Sequence, residues 1–562
     1  MITTKIKHVA SFANICVANG IKTVVISPGS RNAPLVTAFE SHPSIKTYLI
    51  HDERVAAFVA LGMAETSGEP VIITCTSGSA PLNYAGAISE AYYRQIPLFV
   101  VTADRPPELI DQGDGQTIRQ KDVFSNYIKA SFELPAEPCE IETSNTISKE
   151  AISSLISTPK GPVHLNVPLY EPLYEREDFI EDNYDYAVDK KAINNWENED
   201  KEELERVWKE SQKILLIIGQ NPNEGLFESI SPLLERSEVA VLVENTSNLV
   251  HFGKIVHCID RTLAELTEAE LTDFSPDLII STGGAIISKR IKRYLRDFKP
   301  KNNWRVGHFL INEDTYQSLT KSIRCPPKYL FNFLANIDKV SPSNYGNKWK
   351  QKDLLAQDKH EAFLNSNESI SDLKVFQTLL DFLPENSNLH MGNSSVVRYC
   401  QLFNPIKSIK YFSNRGVSGI DGSLSTAIGS AIMSPEKLNT VILGDISFLY
   451  DSNGLWLNDM PSNIRIIVIN NGGGGIFKIL PDARNSEHKD RFFAPHKPKI
   501  SAICEAFNIV HSKVDSINDL ENAMSSFYHI PKHDRPLLLE IDTTAVESQF
   551  VLDEYFKYIA SN

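Results

Sequence analysis

Residues 441–477, VILGDISFLYDSNGLWLNDMPSNIRIIVINNGGGGIF, allow few folds. An apolar run, Val441–Leu443, breaks at Gly444-Asp445, and a second, Ile466–Ile469, breaks at Asn470-Asn471 and a string of glycines. Strand, sharp turn, helix, strand and glycine turn make a βαβ unit, which puts both polar breaks at the carboxyl ends of neighbouring parallel strands. Asp445 and Asn471 then sit side by side in one crevice. A carboxylate, an amide oxygen and a backbone carbonyl are hard ligands suited to Mg²⁺ bound together with a diphosphate, and free N–H groups of the helix after Asp445 would point at the same phosphates. The same residues would also serve an ordinary turn, with Asp445 capping a helix and the glycines forming a loop. The glycines alone make no nucleotide fingerprint.

The rest of the chain repeats this alternation. Strands are expected at Thr23–Ile26, Tyr48–Ile50, Val71–Cys75 and Leu98–Thr102. Helices are expected at Ala33–Glu40, Glu53–Thr66 (closed by Gly68) and Pro81–Tyr93. Such spacing implies a parallel sheet covered on both faces. The unusual residues gather in the loops that follow the strands: SPGSRNAP at 27–34, HDER at 51–54, TSGSAP at 76–81 and ADRPPE at 103–108. An acidic, polar stretch over 172–207 reads as a linker running into a helix. A second unit follows, with strands at Ile214–Ile218, Val239–Val243 and Leu278–Ser281 and a helix near 224–236. The polar segment 341–361 separates it from a third unit. That unit has a strand at Leu389–Met391, helices at 394–403 and 421–433, the stretch already described and a strand at Leu537–Ile541. The expected domains are 1–185, 200–340 and 365–562.

Composition narrows the class. With 42% hydrophobic and 23% charged residues the chain is of globular type, and no apolar run reaches the ~20 residues of a membrane span. Its start lacks a signal-peptide core. Seven scattered cysteines form no CxxC pair, which suggests reduced thiols, a cytoplasmic location and no zinc site. A net charge of −15 argues against nucleic-acid or acidic-membrane binding, so cations that bind anionic substrates must be gathered locally.

The Gly-Asp…Asn-Asn spacing resembles the thiamine-diphosphate motif, with Ile446 where its second glycine commonly stands. On that pattern Asp445, Asn471 and the Gly473 carbonyl hold the metal, Mg²⁺ or Mn²⁺. The cofactor also needs a carboxylate on its aminopyrimidine ring, shielded enough to keep a proton near neutral pH. Glu53, after a strand and opening a helix, fits that role. Its neighbours Asp52 and His51 are the rivals, and a helix N-terminal Glu stabilised by the dipole is the plain alternative.

Longer segments narrow the family. SPGSRNAPL (27–35), HDERVAAFVALGMA (51–64), TSGSAPLNY (76–84), TADRPPEL (102–109), GNSSVVR (392–398), SNRGVSGIDGSLSTA (413–427) and GDISFLYDSNGL (444–455) resemble the 2-succinyl-5-enolpyruvyl-6-hydroxy-3-cyclohexene-1-carboxylate synthases of menaquinone biosynthesis. The likeness covers both end domains and is looser through the middle. It implies an α/β fold of three doubly wound parallel-sheet domains on the thiamine-enzyme (pyruvate-decarboxylase-like) plan: pyrimidine-binding, middle and diphosphate-binding. It implies a transferase that decarboxylates 2-oxoglutarate and adds the succinyl carbanion 1,4 to isochorismate, and at least a homodimer.

By position, the resemblance assigns Ser30, Arg31, Arg105, Gln116, Lys289, Arg290, Ser394, Arg398 and Arg415 to the substrate pocket. Both substrates are dianions, and Arg grips carboxylates with a two-pronged fork. Arg398, four residues past Ser394, is expected to share a helix face with it. Lys292 and Arg296 read as a solvated face. Ile420 would support the cofactor's bend, Ser394 and Ser447 would lie near the cofactor, and Ile476 and Phe477 would either wall the isochorismate ring or pack in the core. NNGGGG has one asparagine fewer than the family's usual run, and GDGQ at 113–116 departs from the commoner pattern. Another thiamine enzyme, such as an acetolactate synthase, would keep Glu53, Asp445 and Asn471 without the arginines. A non-catalytic αβ scaffold would not bind the cofactor.

Overall fold

The computed structural model describes residues 2–136, 140–178, 186–189, 196–220, 225–308, 312–338, 343–529 and 535–561. Three parallel sheets dominate it. The first has the order Lys46–Leu49, Thr23–Ile26, Val71–Cys75, Leu98–Asp104, Val163–Pro168, Ser131–Glu133, every neighbouring pair parallel. A short antiparallel pair, Ile2–Thr4 with Arg176–Asp178, lies apart from it. The second sheet runs Val239–Val243, Ile214–Ile218, Leu278–Thr282, Asn302–Val306, Lys321–Ile323, again parallel. In the third, Asn388–Met391 pairs in parallel with Lys410–Phe412 and Asn439–Gly444. Leu537–Asp542 pairs in parallel with Ile464–Asn470 and Val510–Val514.

Central strands such as VIITC, ILLII and LIIST are buried at every residue. That is why they read as unbroken β-branched runs rather than alternating ones: helices cover both faces.

The chain divides into two compact units. One comprises residues 1–192, 416–436 and 450–464; the other comprises 193–415, 437–449 and 465–562 and holds both later sheets. The expected boundaries at 185 and 340 fall outside the described residues, as does Cys139. The other six cysteines are free and buried.

In the first unit the Glu53–Ser67 helix is the central support. Asp52 caps it by accepting from the Val55 N–H at 3.1 Å, and Gly68, at φ 72°, ends it in the left-handed conformation. Residues Val55–Ala64 are all buried. The helix lies against Ser423–Met433 through paired glycines. A Cβ on Gly62 would stand 2.0 Å from the Thr426 carbonyl oxygen, and one on Gly429 would stand 2.0 Å from that of Val59.

Several local expectations need correction. Pro81–Tyr93 is not one α-helix: a 3₁₀ turn, Pro81–Tyr84, leads into Ala85–Arg94, as proline at the first position favours a tight start. The polar segment at 341–361 is no plain separator. It forms most of the 22-residue helix Tyr345–Ser366, with Tyr345, Trp349, Ala356 and Phe363 buried beneath a polar outer face. The expected helix at 394–403 shrinks to Ser395–Cys400.

Candidate active site

In the first unit, Glu53 is half-buried at the first position of its helix. Both neighbours are tied down. Asp52 caps the helix and also accepts from Asn453 at 2.8 Å, while Arg54 donates to the carbonyls of Asp421 (2.8 Å) and Tyr450 (2.9 Å). His51 stacks on Trp456 with ring centroids 5.1 Å apart. Burial lifts the Glu53 carboxyl above the ordinary range, with the Asp52 charge adding to the shift. Of the three candidates, Glu53 has no hydrogen bond to another residue and no ring contact described for its side chain.

Arg31 and Arg105 come together at the ends of their strands. Arg31, 5% exposed, donates to the Leu169 carbonyl (3.0 Å) and to Glu171 (3.1 Å). Burial, then repulsion from Arg105, pulls its pKa down. Arg105 reaches Asp114 at 3.6 Å, and the Nε atoms of both arginines are buried without a partner among the described residues. Ser30 is exposed and accepts from Tyr174 at 3.1 Å. Gln116 is exposed at φ 56°, a left-handed conformation unusual for Gln, with its backbone close beside Gly78. Ile420 is half-buried in the loop before Ser423–Met433.

In the second unit, Asp445 follows its strand directly and opens a helix of only six residues, Asp445–Tyr450. The residue is 1% exposed. Oδ1 accepts from the Ile446 N–H (2.7 Å); Oδ2 accepts from the Gly473 N–H (2.9 Å) and meets His496 Nε2 at 3.0 Å. Burial raises its pKa and the His496 contact opposes the rise. Asn471 Oδ1 accepts from the same Gly473 N–H at 3.3 Å, so the two expected oxygens converge on one point. Ser447 is buried nearby in sequence.

The expectation for Gly473 is not met in this conformation. Its N–H, not its carbonyl, faces Asp445, because the buried carboxylate recruits a donor; the carbonyl accepts from Gly475 at 2.9 Å. The glycines are required by crowding. A Cβ on Gly475 would stand 2.3 Å from Asn471 Nδ2, and one on Gly473 would stand 2.6 Å from the Phe493 carbonyl. Ile476 and Phe477 open the short helix Ile476–Ile479, both half-buried, with Phe477 5.9 Å from Phe492.

Four further expected cations belong to the second unit, where Arg290, Arg398 and Arg415 act on the buried Glu244 or the half-buried Asp260. Arg415, 9% exposed, donates to Asn393 at 2.7 Å. Arg398 is half-buried, and burial lowers its pKa against the pull of Asp260 and Glu244. Lys289 and Arg290 are exposed at the start of the Lys289–Asp297 helix, and the Arg290 guanidinium lies 4.1 Å over the Phe556 ring. Ser394 does not share a helix face with Arg398: it precedes the helix at φ 74°, ψ −123°. Lys292 is not a solvated residue. Burial pulls its pKa down, and Glu244 and Arg415 are near enough to act on it. Sequence reasoning missed His496, Glu244 and Asp260. No short motif marks them, because their partners lie 28 to 51 residues away.

Residues 6–123 match the family described as thiamine pyrophosphate enzyme, N-terminal TPP binding domain, and residues 391–541 match its C-terminal TPP binding domain. The 2-succinyl-5-enolpyruvyl-6-hydroxy-3-cyclohexene-1-carboxylate synthases of Flavobacterium johnsoniae and Christiangramia forsetii are each 40% identical to this chain. Each comparison covers 99% of the chain and 100% of the relative. That of Bacteroides thetaiotaomicron is 35% identical over 98% of both.

The chain belongs to this synthase family.

It is therefore a thiamine-diphosphate-dependent enzyme. A solved benzoylformate decarboxylase from Polynucleobacter necessarius superposes with a TM-score of 0.74 over 95% of this chain and 98% of its own. At 17% identity it supports the fold alone. No helix of the described residues is long and apolar enough to cross a membrane.

The residues present fit the family's cofactor. Two hard oxygens converge in a glycine cradle that a Cβ would fill, and a shielded, proton-retaining carboxylate stands at Glu53.

Proposed function

We propose that this chain decarboxylates 2-oxoglutarate and joins the remaining four-carbon succinyl unit to isochorismate. The products are CO₂ and the cyclohexene carboxylate of the family name, with the pyruvate unit retained as an enol ether, in menaquinone biosynthesis. The observation that carries this reading is the end-to-end likeness to synthases of that name. The expected set of cations adds to it, because an acetolactate synthase needs no such set for dianions.

Bound thiamine diphosphate supplies the electron sink that makes loss of CO₂ from a 2-oxo acid feasible. Glu53 holds and returns the proton on the aminopyrimidine ring, a task that its raised pKa suits. Asp445 and Asn471 would hold Mg²⁺ or Mn²⁺ through hard oxygens, and the Gly473 carbonyl, which accepts from Gly475 in the conformation described, would become the third protein ligand only with that peptide turned. Ser394, Ile420 and Ser447 support the cofactor.

The substrate carboxylates are bound by Arg31, Arg105, Lys289, Arg290, Arg398 and Arg415, with Ser30, Gln116 and Ser394 orienting them. Arg31 and Arg415 are already buried and Arg105 and Arg398 half-buried, and a charge-assisted hydrogen bond to a substrate carboxylate contributes about 1.5–3 kcal/mol. Ile476 and Phe477 exclude water from the ring of the acceptor. The protein works in the cytoplasm as a homodimer or a higher homo-oligomer, and the six buried free thiols among the described residues suit a reducing compartment.

The test is loss of isochorismate absorbance with purified protein, thiamine diphosphate and Mg²⁺. Loss that stops when 2-oxoglutarate is omitted supports the reading. Turnover of pyruvate with isochorismate untouched would move the chain to the acetolactate-synthase type.

A further inference from the structure

The helix that presents Lys289 and Arg290 begins against its own dipole. Its sequence, KRIKRYLRD, has no acidic residue in the first turn, and cations there are repelled by the positive end of a helix. The compensation comes from elsewhere in the second unit. Glu244, 1% exposed directly after the Val239–Val243 strand, accepts from the Ile287 N–H at 2.6 Å with one carboxylate oxygen. With the other it accepts from the Ser288 N–H at 2.7 Å. Ser288 caps the helix by accepting from the Ile291 N–H at 3.0 Å, and its hydroxyl donates to Asp260. Glu244 therefore holds both residues before Lys289, and Asp260 holds the second of them. Asp260 feels Arg290 and Arg398, and Glu244 feels Arg415.

We infer that Glu244 is a positioning residue of the synthase. By fixing Ile287 and Ser288 it sets the direction in which Lys289 and Arg290 leave the helix start, and with Asp260 it keeps the neighbouring arginines gathered before substrate binds. This rests on the proposed assignment of those cations to the substrate carboxylates. A carboxylate suits the task where an amide does not, because it accepts on both oxygens and an amide on only one.

Glu244 also supplies its own probe, because burial pushes it up to about 7. The charged and titratable groups facing it are Asp260, Lys292 on the Lys289–Asp297 helix, Arg398 on Ser395–Cys400, Arg415 and Tyr316. Both substrates stay fully ionised between about pH 8 and pH 6, so only the protein titrates there. Protonating Glu244 removes one acceptor and loosens the helix start.

The experiment measures kcat and KM for each dianion with the full chain, thiamine diphosphate and Mg²⁺. It compares wild type, Glu244→Gln and Arg290→Ala. Glu244→Gln is expected to raise KM for at least one dianion about tenfold or more while kcat moves less than about threefold. Wild-type KM is expected to rise from pH 8 to pH 6, and that dependence is expected to vanish in Glu244→Gln. An unchanged or lower KM in the variant overturns the inference. Should the variant not fold, a flat wild-type profile overturns it equally. If Arg290→Ala leaves both KM values unchanged, the assignment of the cation cluster itself fails. If Arg290→Ala raises KM and Glu244→Gln does not, only the positioning role fails.

Discussion

Among single residues, Glu53 and Asp445 bear most of the account, and each makes a separable prediction. Glu53→Gln keeps the shape and removes the transferable proton, so kcat is expected to fall about 10²- to 10⁴-fold. Thermal unfolding should stay near wild type, because among the described residues that carboxylate is tied only to its own backbone; a retained kcat would return the role to Asp52 or His51. Asp445→Asn keeps the volume and removes the charge. Calorimetric titration with thiamine diphosphate should show affinity reduced at least about tenfold and no longer improved by Mg²⁺. Affinity that still responds to Mg²⁺ would place the metal elsewhere.

The places of these two residues were legible in the sequence, because Asp445 directly follows a recognisable strand and Glu53 opens the helix soon after one, at the end where a parallel sheet exposes its ligands. His496 was not, since it reaches Asp445 from 51 residues away and no spacing rule links them. The peptide orientation at Gly473 was not legible either. Four consecutive glycines impose no φ of their own, and the contact with Asp445 decides it.

At the scale of elements, the sequence signal was strongest for buried central strands. Thr23–Ile26, Val71–Cys75, Ile214–Ile218 and Val239–Val243 are found with the expected bounds, since β-branched apolar runs of four or five residues between turns are too short for helices. Helices whose identity depends on distant packing were misjudged. Tyr345–Ser366 looked like a polar separator because few of its residues face the interior. Ser394 looked helical by spacing, yet it stands at φ 74°.

The crossing of Glu53–Ser67 with Ser423–Met433 is the element that a single substitution tests best. Gly62→Ala places a methyl 2.0 Å from the Thr426 carbonyl oxygen, a backbone atom that cannot rotate away. Alanine gains up to about 1 kcal/mol in helix propensity, but forcing the helices apart costs about 1–3 kcal/mol or more, so the contact wins. Urea unfolding should show the midpoint lowered at unchanged slope. A midpoint raised by the substitution would mean that the helices do not approach as described.

Over the whole molecule, charge is distributed unevenly. The chain carries −15 overall, yet buries or half-buries Arg31, Arg105, Arg398 and Arg415. The sequence disclosed the total and the family resemblance disclosed which cations matter, while the compensating Glu244 and Asp260 required the fold. The sequence also suggested three domains in a row. Residues 416–436 and 450–464 belong by contact to the same compact unit as the first sheet, a grouping that arises from helix contacts and leaves no mark on composition. Light scattering on the eluted protein should give about twice the 63.0 kDa of one chain, or a further multiple. A mass of one chain in the active fraction would refute the oligomer.

The most direct test of the central claim follows both halves of the reaction at once. Carboxyl-labelled 2-oxoglutarate and isochorismate are supplied to the purified protein with thiamine diphosphate and Mg²⁺, and released CO₂, remaining isochorismate and product mass are measured together. The account predicts one CO₂ released for each isochorismate consumed, with a product equal in mass to the two substrates less CO₂. Release of CO₂ with isochorismate unconsumed, or consumption of isochorismate without 2-oxoglutarate, would contradict it.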